Sequence, residues 1–173
     1  MAVSHKDIAE ANLHEPKGVS TATLDTVYVA DGLGSGTWTS RFPQGEVVTA
    51  TNVIDSTENG KTFFLDSATE FVSTLPAPAA HLKFSFIVKT APSGADYTIV
   101  TTSSSNIIKG QVYTVDVNSA TDPDLESAGA DTISFVASKA IAGDRVDVIC
   151  DGTNWFAYCF CSVFDAITIT TAS

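Results

Sequence analysis

Basic residues are scarce in this sequence. Nine Lys and Arg stand against 20 Asp and Glu, a formal charge of −11, so a nucleic-acid backbone would meet net repulsion, and no nucleic-acid partner is expected. Long apolar runs are missing as well. Although 44 % of the residues are hydrophobic, no run approaches the ~20 residues of a membrane span, and no membrane partner is expected. The first residues lack the basic-then-apolar layout of a signal peptide, which sets an expectation of synthesis in a cytoplasm without export by that route. Cysteine is limited to Cys150, Cys159 and Cys161, an odd number that argues against a disulfide framework. Cys159 and Cys161 are two apart on one strand face, a poor geometry for bridging. His5, His14 and His81 are too far away in sequence to complete a zinc site. Buried free thiols are expected, with no metal and no cofactor.

Catalytic patterns are absent too. Gly34-Ser35-Gly36 is too short for a nucleophile elbow, and the run Gly32-Leu33-Gly34-Ser35-Gly36 lacks the following Lys and helix of a phosphate loop. It reads as a linker. His5 and His14 fall in the N-terminal region and His81 in a loop after Pro78-Ala79-Ala80, so no catalytic residues are expected and the chain is not read as an enzyme. The acidic stretch Asp122-Pro123-Asp124-Leu125-Glu126 offers hard oxygens of the kind calcium takes. It lacks the ligand ladder of a calcium loop, and solvated loop charge is the better reading.

What is present is strand after strand. A length of 173 residues supports one core. The segment 1–42 is poor in large apolar residues and reads as an extended arm, whereas 43–173 reads as an all-β domain, an antiparallel β-sandwich or barrel. Thr26-Val27-Tyr28-Val29-Ala30 is a short strand within the arm. Strands are expected at Lys61 to Leu65, Leu82 to Lys89, Asp96 to Thr102, Gln111 to Val117, Asp131 to Ala137, Arg145 to Cys150, Asn154 to Cys161 and Val163 to Ile169. Leu82, Phe84, Phe86 and Val88 alternate with Lys83, Ser85, Ile87 and Lys89, the mark of a half-buried strand.

The strand Asn154 to Cys161 is apolar on both faces. A two-residue turn at Asp151-Gly152 pairs Cys150 with Thr153 and puts Trp155, Ala157, Cys159 and Cys161 on one face. That face fills the subunit core. Phe156, Tyr158 and Phe160 then need cover from a second sheet of the same chain or from another subunit. Within the arm, Ile8, Leu13, Val27, Tyr28, Leu33 and Trp38 are the residues able to bury area against a partner.

The text Ser4-His5-Lys6-Asp7-Ile8 through Leu13-His14-Glu15-Pro16-Lys17-Gly18-Val19, followed by Thr26 to Gly32 and Gly34-Ser35-Gly36-Thr37-Trp38, resembles the N-terminal segment of head-decoration (cement) and head-fibre-like proteins of tailed bacteriophages. Asn59 to Leu65 and the hairpin from Gly143 to Trp155 look like β-modules of the same phage structural proteins. The resemblance implies a β-rich virion protein, often a homotrimer, attached to the major capsid protein on the outer capsid surface through its N-terminal region, and made in the host cytoplasm. Tail fibres carry similar hairpins, so a receptor-binding or host-adhesion module is the alternative.

Overall fold

A computed structural model describes residues 22–24, 26–30, 32–33, 35–40, 44–67, 69–116 and 125–171. The chain divides into two compact units, Met1–Pro43 and Gln44–Ser173.

In the first unit the described residues include a hairpin of β1 (Thr26–Ala30) and β2 (Gly36–Ser40), antiparallel, with Tyr28 opposite Trp38. The sequence suggests an extended arm with one strand followed by a linker. Instead Thr37-Trp38-Thr39, rich in β-favouring side chains, supplies a second strand that pairs back on the first. The Tyr28 and Trp38 rings meet edge to face at 5.3 Å, a favourable aromatic geometry.

The second unit is an all-β sandwich. Among the described residues one sheet has seven strands in the order β10-β9-β13-β12-β7-β5-β3, and the other has five, β14-β11-β8-β6-β4. In the first sheet lie β3 (Gly45–Val48), β5 (Thr62–Leu65), β7 (Ala80–Val88), β9 (Ile108–Thr114), β10 (Leu125–Ala130), β12 (Arg145–Asp151) and β13 (Trp155–Cys161). The second holds β4 (Asn52–Val53), β6 (Phe71–Thr74), β8 (Tyr97–Val100), β11 (Thr132–Phe135) and β14 (Ile167–Thr170).

Pairing is mixed rather than purely antiparallel. From β3 to β8 the chain alternates between the sheets, so β3, β5 and β7 run parallel in one and β4, β6 and β8 run parallel in the other. Each strand of one sheet serves as the crossover that a parallel pair in the opposite sheet requires. Like positions stack from turn to turn, with Val48 beside Leu65 beside Val88. Phe63 stacks on Phe86 at 5.3 Å, and Phe71 on Tyr97 at 4.5 Å. From β11 onward antiparallel pairs dominate, apart from β13 beside β9.

One core lies between the sheets. Phe84, Phe86, Val146, Val148, Trp155 and Ala157 from the larger sheet meet Phe71, Tyr97, Ile99, Ile133, Phe135 and Ile167 from the smaller. Burying each large side chain contributes about 1.5–3 kcal/mol. Cys150, Cys159 and Cys161 are buried and form no disulfide with one another. Burial, together with the charge of Asp144, pushes the Cys161 thiol up from its ordinary value, which keeps it protonated and poorly nucleophilic.

Candidate functional site

The alternation of β7, β12 and β13 assigns every second side chain to the core and the rest to the outer face of the seven-stranded sheet. Leu82, Phe84, Phe86 and Val88 point inward as their spacing requires. His81, expected in a loop, lies within β7 instead, with φ +70 at a shift in the β7–β12 register.

The hairpin of β12 and β13 differs from expectation in its turn. Its register pairs Cys150 with Trp155, Val148 with Ala157, Val146 with Cys159 and Ile149 with Phe156. The two-residue loop is therefore Gly152-Thr153, one position later than Asp151-Gly152. Gly152 has φ +107, at the first central position where a type II′ turn favours glycine. Asp151 fixes this choice: its Oδ1 accepts from the Asn154 N–H at 2.7 Å and the Thr153 N–H at 2.8 Å. Those bonds hold its carboxyl below the ordinary range. The cross-strand pairing moves by two residues, one full side-chain period, so each side chain keeps its expected face.

Trp155, Ala157, Cys159 and Cys161 are accordingly buried, while Phe156, Tyr158 and Phe160 are 38 %, 44 % and 48 % exposed. The five-stranded sheet covers the opposite face and leaves these three open. They belong to cross-strand rows on the outer face. In one, Val47, Phe64, Ile87, Arg145, Phe160 and Tyr113 stand side by side, and Tyr113 stacks on Phe160 at 5.5 Å. A second row, two residues along, runs Ser85, Asp147, Tyr158, Gln111. Asp147 accepts from the Ser85 hydroxyl at 2.6 Å and from the Arg145 guanidinium. A third runs Lys83, Ile149, Phe156, Lys109. Two grooves flank Tyr158. One of about 300 Å³ is lined by Lys109, Gln111, Leu125, Phe156 and Tyr158 among others, and one of about 510 Å³ by Lys83, Arg145, Asp147, Tyr158 and Phe160 among others. Sequence reading found the aromatic triplet. Hairpin alternation also places Ile149 on that face, whereas Tyr113, Lys83 and Lys109 join the triplet only through strand order.

The residues proposed for the arm do not share one surface. Tyr28 and Trp38 lie on one face of the β1–β2 hairpin, Val27 projects from the other beside Val29, and Leu33 stands 91 % exposed at the turn. Ile8 and Leu13 lie outside the described residues, as do Asp122 and Asp124 of the acidic stretch. Glu126 is described, and its Oε1 accepts from the Gly129 N–H at 2.7 Å. Among the described residues no group of three His, Cys, Asp or Glu side chains is placed to hold a metal ion, and no helix is long and apolar enough to cross a membrane.

No protein-family model, curated protein or solved structure matches the chain.

Proposed function

We propose that the chain is a non-enzymatic structural protein of a tailed-phage virion, a decoration subunit that self-associates through the outer face of its seven-stranded sheet and attaches to the major capsid protein through its N-terminal unit. The observation that carries the reading is the open aromatic row on β13. Phe156, Tyr158 and Phe160 lie on the outer sheet face with Tyr113 and Ile149 beside them, all five at least partly open to solvent. A face of this kind in contact with water is an association site or an aggregation hazard. Cover by further copies in a closed ring, with a trimer as the favoured count, removes the hazard. For attachment the candidates are Ile8, Leu13, Val27, Tyr28, Leu33 and Trp38. A two-stranded hairpin is marginal on its own in water, and docking on a capsid surface would supply the burial it lacks.

Counting the chain in purified virions tests the assignment. A decoration subunit is present in numbers that scale with the major capsid protein, whereas a few copies per particle would replace this reading with a tail-fibre or host-adhesion module. Deleting residues 1–42 tests the attachment. The truncated protein should still self-associate and should no longer bind empty capsids; undiminished capsid binding would refute attachment through the N-terminal unit.

A further inference from the structure

Of the asparagines in the sequence, only Asn59 is followed by glycine. No side chain shields a glycine nitrogen, so Asn-Gly is the dipeptide at which the backbone nitrogen attacks the asparagine side chain most readily in water. Here the pair forms the centre of a tight turn. Asn59 has φ −48 and ψ 129, Gly60 has φ +89, and the Lys61 N–H donates to the Glu58 carbonyl at 3.0 Å. This is a type II turn, with glycine where φ must be positive. Asn59 is exposed, so water reaches it.

The turn is seated on the start of β7. The Asn59 Oδ1 accepts from the Lys83 N–H at 2.8 Å, the Gly60 N–H donates to the Lys83 carbonyl at 2.8 Å, and the Lys61 carbonyl accepts from the Ser85 N–H at 3.1 Å. The asparagine side chain thus stands in for a main-chain carbonyl and lengthens the parallel β5–β7 ladder by one bond. These bonds occupy both of the groups that would react. With ψ at 129 the Gly60 nitrogen is turned away from the Asn59 side-chain carbon, and swinging it into reach means rotating the peptide and breaking its bond to Lys83.

We propose that Asn59 is a site of spontaneous chemical modification that the fold holds shut, and that its reaction turns a transient opening of this turn into a permanent one. In the opened turn the Gly60 nitrogen forms a bond to the Asn59 Cγ, the Cγ–Nδ2 bond breaks, and ammonia leaves with the proton given up by Gly60. Water then opens the resulting succinimide. Addition at the side-chain carbonyl gives aspartate, and addition at the main-chain carbonyl gives isoaspartate, whose backbone runs through an extra methylene. The longer backbone cannot set both an acceptor oxygen and the Gly60 N–H against Lys83, so the seat on β7 is lost. From Ala80 to Lys83, β7 lies beside Ile149 and Asp151 of β12, and the loss therefore reaches the seven-stranded sheet beyond the turn. None of these steps depends on self-association.

Incubation of the full chain at mildly alkaline pH, in native buffer and in urea, followed by mass mapping of the peptide that contains Asn59, tests the site. Unfolded, Asn59 should be the first asparagine converted. Folded, its conversion should slow about tenfold or more, in step with the hydrogen-exchange protection of the Gly60 amide. Chain enriched in isoaspartate should melt below wild type and lose exchange protection at Lys83 and Ser85, whereas Asn59→Asp, which keeps an acceptor for the Lys83 N–H on an unaltered backbone, should melt close to wild type. Another asparagine converting first in urea overturns the assignment, and conversion as fast in the folded chain as in the unfolded one overturns the gating. An isoaspartate chain with wild-type protection at Lys83 and Ser85 overturns the loss of the seat.

Discussion

The two faces of β13 are built from the same seven residues and have opposite physical fates. Trp155, Ala157, Cys159 and Cys161 are closed off by the five-stranded sheet, with Trp155 packed 5.9 Å from Phe84. Phe156, Tyr158 and Phe160, equally apolar, remain open. Hydrophobicity alone therefore does not decide what is core. The second sheet covers one side only, and the other stays open on the single chain.

Substitutions should separate the faces by the quantity they change. Trp155→Ala, in the core, should lower folding stability by about 3–5 kcal/mol in denaturant titration, whereas Tyr158→Ala should leave the monomer's stability within about 0.5 kcal/mol. Equal losses at the two positions would break the distinction. Gly110 sharpens it, because its neighbour across the strand pair is Ala157. A Cβ at Gly110 would lie 2.4 Å from the Ala157 carbonyl oxygen, which the backbone can relieve only by shifting. Gly110→Ala should cost about 1–3 kcal/mol, and an unchanged unfolding midpoint would contradict the close packing of β9 on β13.

How much of this was legible follows from what sequence patterns encode. Period two identified β7 and both faces of β13, because alternation survives any register. It also explains why the misplaced turn at Asp151-Gly152 did no harm to the faces: the error was one full period. The parallel winding of β3 to β8 was not legible, since Phe63-Phe64-Leu65 looks the same beside a parallel or an antiparallel neighbour. β6 and β10 escaped for a different reason. Phe71-Val72-Ser73-Thr74 is short, and Leu125 to Ala130 is rich in small residues and follows an acidic loop. The aromatic triplet was visible at once, but its neighbours Tyr113, Lys83 and Lys109 come from β9 and β7, and only strand order places them beside it.

The turn itself makes a smaller, pH-dependent prediction. The Asp151 carboxyl is depressed by the Asn154 and Thr153 N–H groups, so its stabilising effect is complete above the ordinary unfolded value of about 3.9 and fades as pH falls through the lower folded value. Asp151→Ala should therefore melt below wild type at neutral pH, with the gap closing under strongly acidic conditions. A gap of constant size from neutral to acid would mean that the carboxylate does not hold the turn.

The central claim is that another copy of the chain covers the open face of β13. Sedimentation equilibrium of wild type beside the double variant Phe156→Ser, Phe160→Ser tests it most directly. The account predicts a closed wild-type oligomer, with a trimer favoured, and a folded, soluble monomeric variant; a wild-type monomer, or a variant with the wild-type oligomeric mass, would contradict it.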